Sequence, residues 1–159
     1  MATPEERTGS YYASALFSTI ATFAEVLGWE KALDIYLAGV RRRSAMATSM
    51  LLERLKITER DASVFAPIMK TISSIIMPGL RIETPEVAPK LTVLRFEGTC
   101  ILWEAARKMG LQEKIHVGKV CDAFGGAMGE TVNPKITVTA TKKICKGDTY
   151  CEYIMELKE

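Results

Sequence analysis

Hydrophobic positions along this chain change their spacing once, near Pro78. Before that point they recur at helical intervals. Tyr12, Ala15, Leu16, Ile20, Phe23 and Leu27 form one stripe, which predicts a helix over Glu5–Leu27 that Gly28 ends. Leu33, Ile35, Leu37, Val40, Met46, Met50 and Leu51 predict a second long helix over Glu30–Leu55. A third is expected over Thr58–Met77, with Thr58 as N-cap, Pro78-Gly79 as the stop and Pro67 dividing it into two pieces.

After Pro78 the runs become β-like. Leu80–Val87 and Lys90–Phe96 are rich in Thr, Val, Ile and Leu around a Pro85–Pro89 turn region. Two helices follow. Ile101–Met109 is closed by Gly110, and Lys114–Val132 has Val117, Cys121, Phe124 and Met128 on its inner face. Gly125, Gly126 and Gly129 are unfavourable inside a helix, so another element is expected to approach the backbone there. Ile136, Val138, Ala140 and Ile144 then fall on alternate positions, as do Cys151, Tyr153, Met155 and Leu157. Period two on both sides of Lys146-Gly147-Asp148 predicts an antiparallel hairpin, with Gly147 supplying a positive φ. This phasing turns Cys151 into the core and leaves Cys145 beside the turn, on the other face. The order, three helices and then β-β-α-α-β-β, predicts an α+β fold with helices packed on one antiparallel sheet. Residues 1–159 fit a single domain, with a helical part over 1–79 and a sheet-containing part over 80–159.

Composition narrows the function classes. Hydrophobic content of 48% with 25% charge is ordinary for a soluble globular chain. A net charge of +2 gives no basic stripe for nucleic acid, and Arg41-Arg42-Arg43, the only dense basic run, reads as a solvated helix face. The opening Met1-Ala2-Thr3-Pro4-Glu5-Glu6 is polar and acidic, unlike a secretory leader. The most apolar stretch, Val64–Leu80, is interrupted by Pro67, Lys70 and Pro78, so no membrane span is expected. Four cysteines in such a chain point to reduced thiols in the cytoplasm.

Those thiols are the candidate chemistry. Cys100 stands where the Lys90–Phe96 strand turns into a helix, and with Thr99 as N-cap it would sit in the first turn. There the helix dipole and free N–H groups favour thiolate over thiol, against the alternative of a small buried corner residue. Cys121 lies on an apolar helix face, with Asp122 and the lone His116 nearby as a candidate base or orienting group, although His116 lies five residues before Cys121, awkward for one helical face. No C-x-x-C pair occurs, and the spacing of Cys100, Cys121 and Cys151 matches no standard zinc module. There is no phosphate loop, dinucleotide fingerprint, H-E-x-x-H or nucleophile elbow. Neither a metal nor a cofactor is expected. Phasing directs Cys100, Cys121 and Cys151 toward one pocket, with Cys145 apart.

Several of these residues together resemble a known family. Cys100 at its junction, Trp103-Glu104-Ala105, Lys108-Met109-Gly110-Leu111, Cys121-Asp122, Asn133-Pro134-Lys135, Thr141-Lys142 and Gly147-Asp148-x-x-Cys151 look like the L-2-amino-thiazoline-4-carboxylic acid hydrolase family, over about residues 90–157. The tail also resembles the four-vinyl reductase domain. In zinc-binding members of that group a ligating cysteine stands eight residues before the last one, a position that is Lys143 here. The hydrolase resemblance implies opening of a cyclic amidine, in which water adds to the C=N carbon of a thiazoline ring and yields an N-carbamoyl cysteine. It implies Cys100 or Cys121 as the thiol, Asp122 as proton carrier, Lys142 or Arg95 as carboxylate anchor and Cys151 in the pocket wall. The competing expectation is a non-catalytic sensor of a small apolar or aromatic ligand, of the four-vinyl reductase type, and a metal-dependent version of either reading is the third. Either would be a homodimer through its Met- and Ala-rich N-terminal helices, and neither would bind nucleic acid or membrane.

Overall fold

The computed structural model describes residues 4–77 and 79–159, with side chains from residue 7 onward. Pro78, the expected helix stop, lies outside the described residues. Helices α1 (Pro4–Leu27) and α2 (Trp29–Arg54) are joined by Gly28 at φ 80, a conformation that suits glycine and lets the chain reverse in one residue. On α2 the buried residues Ala32, Tyr36, Val40, Ser44, Thr48 and Leu52 recur every fourth position and form a narrow seam.

Helix α3 (Phe65–Ile76) is entered through a 3-10 turn at Ala62–Val64. Asp61, rather than Thr58, is the cap, its carboxylate accepting from the Ser63 amide at 2.9 Å. Pro67 does not divide this helix. It is the third residue of α3, within the first turn, where its missing N–H has no helical partner to lose.

Strands β1 (Leu80–Val87), β2 (Leu91–Gly98), β3 (Ile136–Lys142) and β4 (Tyr150–Leu157) form one antiparallel sheet in the order β1-β2-β4-β3. The α+β expectation holds, with the Lys90–Phe96 strand and the C-terminal hairpin in the same sheet. Pro85 falls in the bulge between Glu83 and Glu86 of the edge strand β1, where a lost donor is tolerated. At the centre, Leu94 faces Tyr153, Phe96 faces Cys151 and Thr92 faces Met155. Two boundaries differ from the reading of the sequence. The helix expected over Lys114–Val132 is broken at His116, which has a left-handed φ of 49, leaving a short α5 (Gln112–Ile115) and α6 (Val117–Val132) after α4 (Ile101–Lys108). Ile144 lies outside β3, in a 3-10 turn over Ile144–Lys146.

Helix α6 is the shared wall of two hydrophobic clusters. One lies between the sheet and α3, around Phe65, Ile68, Leu94 and Met128; the other joins α1, α2 and α4, around Phe17, Tyr36 and Ala105; Cys121 and Phe124 pack against both. Glycine lets α6 sit directly on β3. A Cβ on Gly129 would come within 2.9 Å of a Val138 methyl, and one on Gly125 within 3.1 Å of the other. On the opposite side α2 is fixed to α6 by the buried Ser44 hydroxyl, which donates to the Phe124 carbonyl at 2.7 Å, and by the surface pair Arg41–Glu130 at 2.6 Å. No described helix is long and apolar enough to cross a membrane.

Candidate functional site

Where α6 spans the gap between α2 and the sheet, the elements enclose a cavity of about 230 Å³. Its walls include Tyr36, Val40 and Arg43 of α2, Phe65 and Met69 of α3, Cys121, Phe124 and Met128 of α6, and Cys151, Tyr153 and Met155 of β4, with Phe96, Cys100, Leu102 and Val138 among the other lining residues. Alternation places Cys151, Tyr153 and Met155 on one face of β4, and the Phe96 and Tyr153 rings meet edge to face at 5.9 Å. The lining contains no carboxylate and no histidine. Arg43 is the one charged side chain in it, and its guanidinium lies 6.0 Å from the Tyr36 ring centroid.

Cys100, Cys121 and Cys151 line this cavity together. Cys145 is not in the lining, but it does not stand apart as the strand phasing suggested. It belongs to the 3-10 turn after β3, packs against α6 with its sulfur 3.4 Å from where a Gly118 Cβ would be, and is close enough to the other three thiols to bear on their ionisation.

The thiols are neutral, opposite to the expectation for Cys100. Cys100 is itself the N-cap residue of α4. Burial pushes its pKa up, and the Trp103 and Leu102 amides, which favour the thiolate, do not offset that. Cys121 is pushed up to about 12, first by burial and then by Cys100 and Cys151. Burial also raises Cys151, whose sulfur accepts from the Ile144 amide at 3.2 Å, and Cys145. The two tyrosines follow. Desolvation raises Tyr36 to about 12 and raises Tyr153 further, with the Cys121 and Cys151 thiols contributing at Tyr153.

The remaining candidates lie elsewhere. Asp122 is absent from the cavity lining, with a half-exposed carboxylate that takes the Lys143 ammonium at 2.5 Å. Arg95 and Lys142 lie on the outer face of the sheet. Arg95 Nε donates to Glu152 at 2.7 Å and its guanidinium covers the Tyr150 ring, while Lys142 Nζ donates to the Tyr150 hydroxyl at 2.7 Å. Neither can anchor a molecule held on the Tyr153 side. His116 is exposed at its helix break.

Reading the sequence missed Tyr36, Arg43, Tyr153 and Lys143. Tyr153 was legible as inward-facing, though not as a polar group. Arg43 was absorbed into a solvated basic run. Lys143 is buried, its amide capped by the Asp148 carboxylate at 2.7 Å and its ammonium also donating to the Gly118 carbonyl at 3.3 Å. An ammonium at that position cannot ligate zinc, and among the described residues no three His, Cys, Asp or Glu side chains converge as a metal-binding group.

A family model described as L-2-amino-thiazoline-4-carboxylic acid hydrolase matches residues 10–155. The chain belongs to that family. The match includes the N-terminal helices that the sequence motifs left out. Two solved structures share the fold of this family member. The phenol-responsive sensory domain of the transcription activator PoxR, with phenol, superposes with a TM-score of 0.64 at 13% identity, over 91% of this chain and 74% of that one. A trafficking protein particle complex subunit 3 from Naegleria fowleri, covalently bound to palmitic acid, superposes with a TM-score of 0.61 at 11% identity, over 98% of both chains. No curated protein matches the sequence.

Proposed function

We propose that this family member is a binding module that holds a small apolar or aromatic molecule in the cavity between α2, α6 and the sheet. The cavity's chemistry carries the reading. A dry apolar cavity of roughly 150 Å³ already holds benzene, so about 230 Å³ lined by Phe, Met, Val and Tyr suits a substituted ring or a chain of similar bulk. The thiols around it are neutral, so they offer polarisable wall rather than a nucleophile. The molecules bound in the two structural neighbours, phenol and palmitic acid, are each an apolar body with one oxygen-bearing end. Titration of toluene should raise the melting temperature of the wild-type protein, because a ligand that binds only the folded state stabilises it. Filling the space by Leu102→Trp should remove that response. Toluene without effect on the wild-type protein would end this reading.

Family membership supports a second reading, in which 2-amino-thiazoline-4-carboxylate enters the same cavity and is opened by water with Cys100 or Cys121 as the thiol. Here Arg43 replaces Arg95 and Lys142 as the carboxylate anchor, since it alone of the three reaches the cavity. The discriminating measurement is carbamoyl cysteine formation by the wild-type, Cys100→Ser and Cys121→Ser proteins. Turnover that both variants retain removes the thiol route. We further take the chain to act as a homodimer. Tyr12 and Val26 of α1 and Met46 and Met50 of α2 are 57% to 80% exposed, and a second copy would withdraw that apolar area from water. Light scattering at the monomer mass throughout the micromolar range would count against it.

A further inference from the structure

Five buried side-chain N or O atoms among the described residues have no hydrogen-bond partner, on Thr48, Ser73, Thr92, Gln112 and Tyr153. Only Tyr153 of these lines the cavity. The residue is 8% exposed, its ring is held edge-on by Phe96, and its hydroxyl lies beside the Cys121 sulfur without forming a hydrogen bond of normal geometry. Such an orphan is unfavourable. A buried hydroxyl without a partner gives up its hydration, and the Phe96 ring and Cys121 sulfur beside it return little. Buried tyrosine hydroxyls as a rule find a partner. A ligand held in the cavity that Tyr153 lines is one source of that partner.

We propose that Tyr153 sets the specificity of the cavity by hydrogen bonding to a single uncharged oxygen, a hydroxyl or a carbonyl, on an otherwise apolar ring-sized ligand. The inference rests on the binding-module reading and gives its ligand a chemical class. Tyr153 is neutral, so its hydroxyl can donate to a carbonyl or both donate to and accept from a hydroxyl. A carboxylate at the same point would be unfavourable, because its charge would sit among Cys121, Cys151 and Phe96 with no cation beside it. Arg43 also lines the cavity, but from α2, where its side chain is exposed and lies over the Tyr36 ring.

The test is calorimetric titration of the full chain with phenol, benzaldehyde, toluene and benzoate, comparing wild type with Tyr153→Phe. That substitution removes one oxygen that has no partner, so the fold should persist, as thermal denaturation would verify. The expected result is a five- to tenfold loss of phenol and benzaldehyde affinity in Tyr153→Phe, the size of one hydrogen bond. Toluene affinity should stay level or rise, and benzoate should bind more weakly than phenol. Equal losses for phenol and toluene, or no loss for either, would overturn the assignment of Tyr153 while leaving the binding module in place. Benzoate binding more tightly than phenol, with the affinity lost in Arg43→Met and not in Tyr153→Phe, would also overturn it in favour of an anionic ligand. No heat from any of the four probes would sink the inference and the reading beneath it together.

Discussion

Cys151, Tyr153 and Met155 point from β4 into the cavity, while Tyr150 and Glu152, one residue out of phase with them, face the other way. The two faces of this sheet have opposite chemistry. On the outer face Arg95, Glu152, Thr141, Lys142 and Tyr150 are joined by charge-assisted hydrogen bonds, with Glu152 held below the usual carboxylate range by Arg95 and Thr141. On the inner face the ionisable groups are thiols and phenols that burial keeps protonated. Charged residues that look suited to catalysis are therefore consumed by one another in water. The face able to enclose a ligand has only weak, neutral partners to give it. Position relative to the pleat decides which residues can act on a ligand, more than residue type does.

The largest break in that contrast should come from the inner face. Leu94 is fully buried between its neighbours, so Leu94→Ala should destabilise the fold by about 2–5 kcal/mol in urea denaturation, from lost transfer energy and the void left behind. Arg95→Ala, the next residue on the same strand, should cost less, because its ion pair is only part-buried and Glu152 keeps the hydrogen bond from Thr141. Equal losses in the two variants would mean that the faces do not differ as described.

Helix α6 offers a smaller and two-signed test. An added methyl on Gly129 would meet Val138 at 2.9 Å and the Ile136 carbonyl at 3.3 Å, so Gly129→Ala should cost about 1–3 kcal/mol by pushing α6 off the sheet. Three residues earlier, Gly126 faces only the flexible end of Arg41 at 3.7 Å. There alanine should stabilise by up to about 1 kcal/mol through helix propensity. The same denaturation series reads both, and a like sign for the pair would contradict the close seating of α6 on β3.

Alkaline pH probes the neutrality of the inner face more gently. Cys121, near 9 in the unfolded chain, is held at about 12 by burial. Below pH 9 both states keep the proton and the stabilising contribution is complete. Between pH 9 and 12 the unfolded state loses its proton first, so stability should fall as pH rises, by at most about 1.4 kcal/mol per unit. Tyr36, raised from 10.0 to about 12, adds to the fall above pH 10. Unfolding free energies at pH 8 and pH 10 should therefore differ by at least about 1.4 kcal/mol in the wild-type protein, and by less in Cys121→Ala. A flat profile would mean that the thiol is not desolvated.

What could be read from the sequence divides along the same line. Alternation in Cys151, Tyr153 and Met155 and the 3.6-residue stripe through Cys121, Phe124 and Met128 are repeated signals, and they turn two thiols toward the cavity that Cys100, read from its place at a strand end, also lines. Single events were not legible. The turn from Lys143 to Gly147 winds as a 3-10 segment closed by the Asp148 carboxylate, and that reverses where Cys145 and Lys143 point. Cys100 illustrates a competition of magnitudes: its place at the start of a helix is local and readable, but desolvation, which wins, depends on residues brought around it by the tertiary fold. Arg95 was readable after all, since inward Leu94 and Phe96 force it outward. The chemistry implied by resemblance obscured that phase.

The smallest expected effect is also the most direct test of the contrast. If ligand or substrate meets only the inner face, Arg95→Ala and Lys142→Ala should change neither toluene binding nor any turnover of 2-amino-thiazoline-4-carboxylate by more than about twofold, less than half the effect of one lost hydrogen bond. The reason is geometric. Both side chains are bound to Tyr150 and Glu152 on the far side of the strands, and the sheet separates them from Tyr153. Arg43→Met, by comparison, removes a cation that does reach the cavity, and under the hydrolase reading it should raise KM for the carboxylate substrate. A loss of turnover in Arg95→Ala or Lys142→Ala with Arg43→Met silent would place the reaction on the outer face, where charged groups rather than thiols would have to perform it.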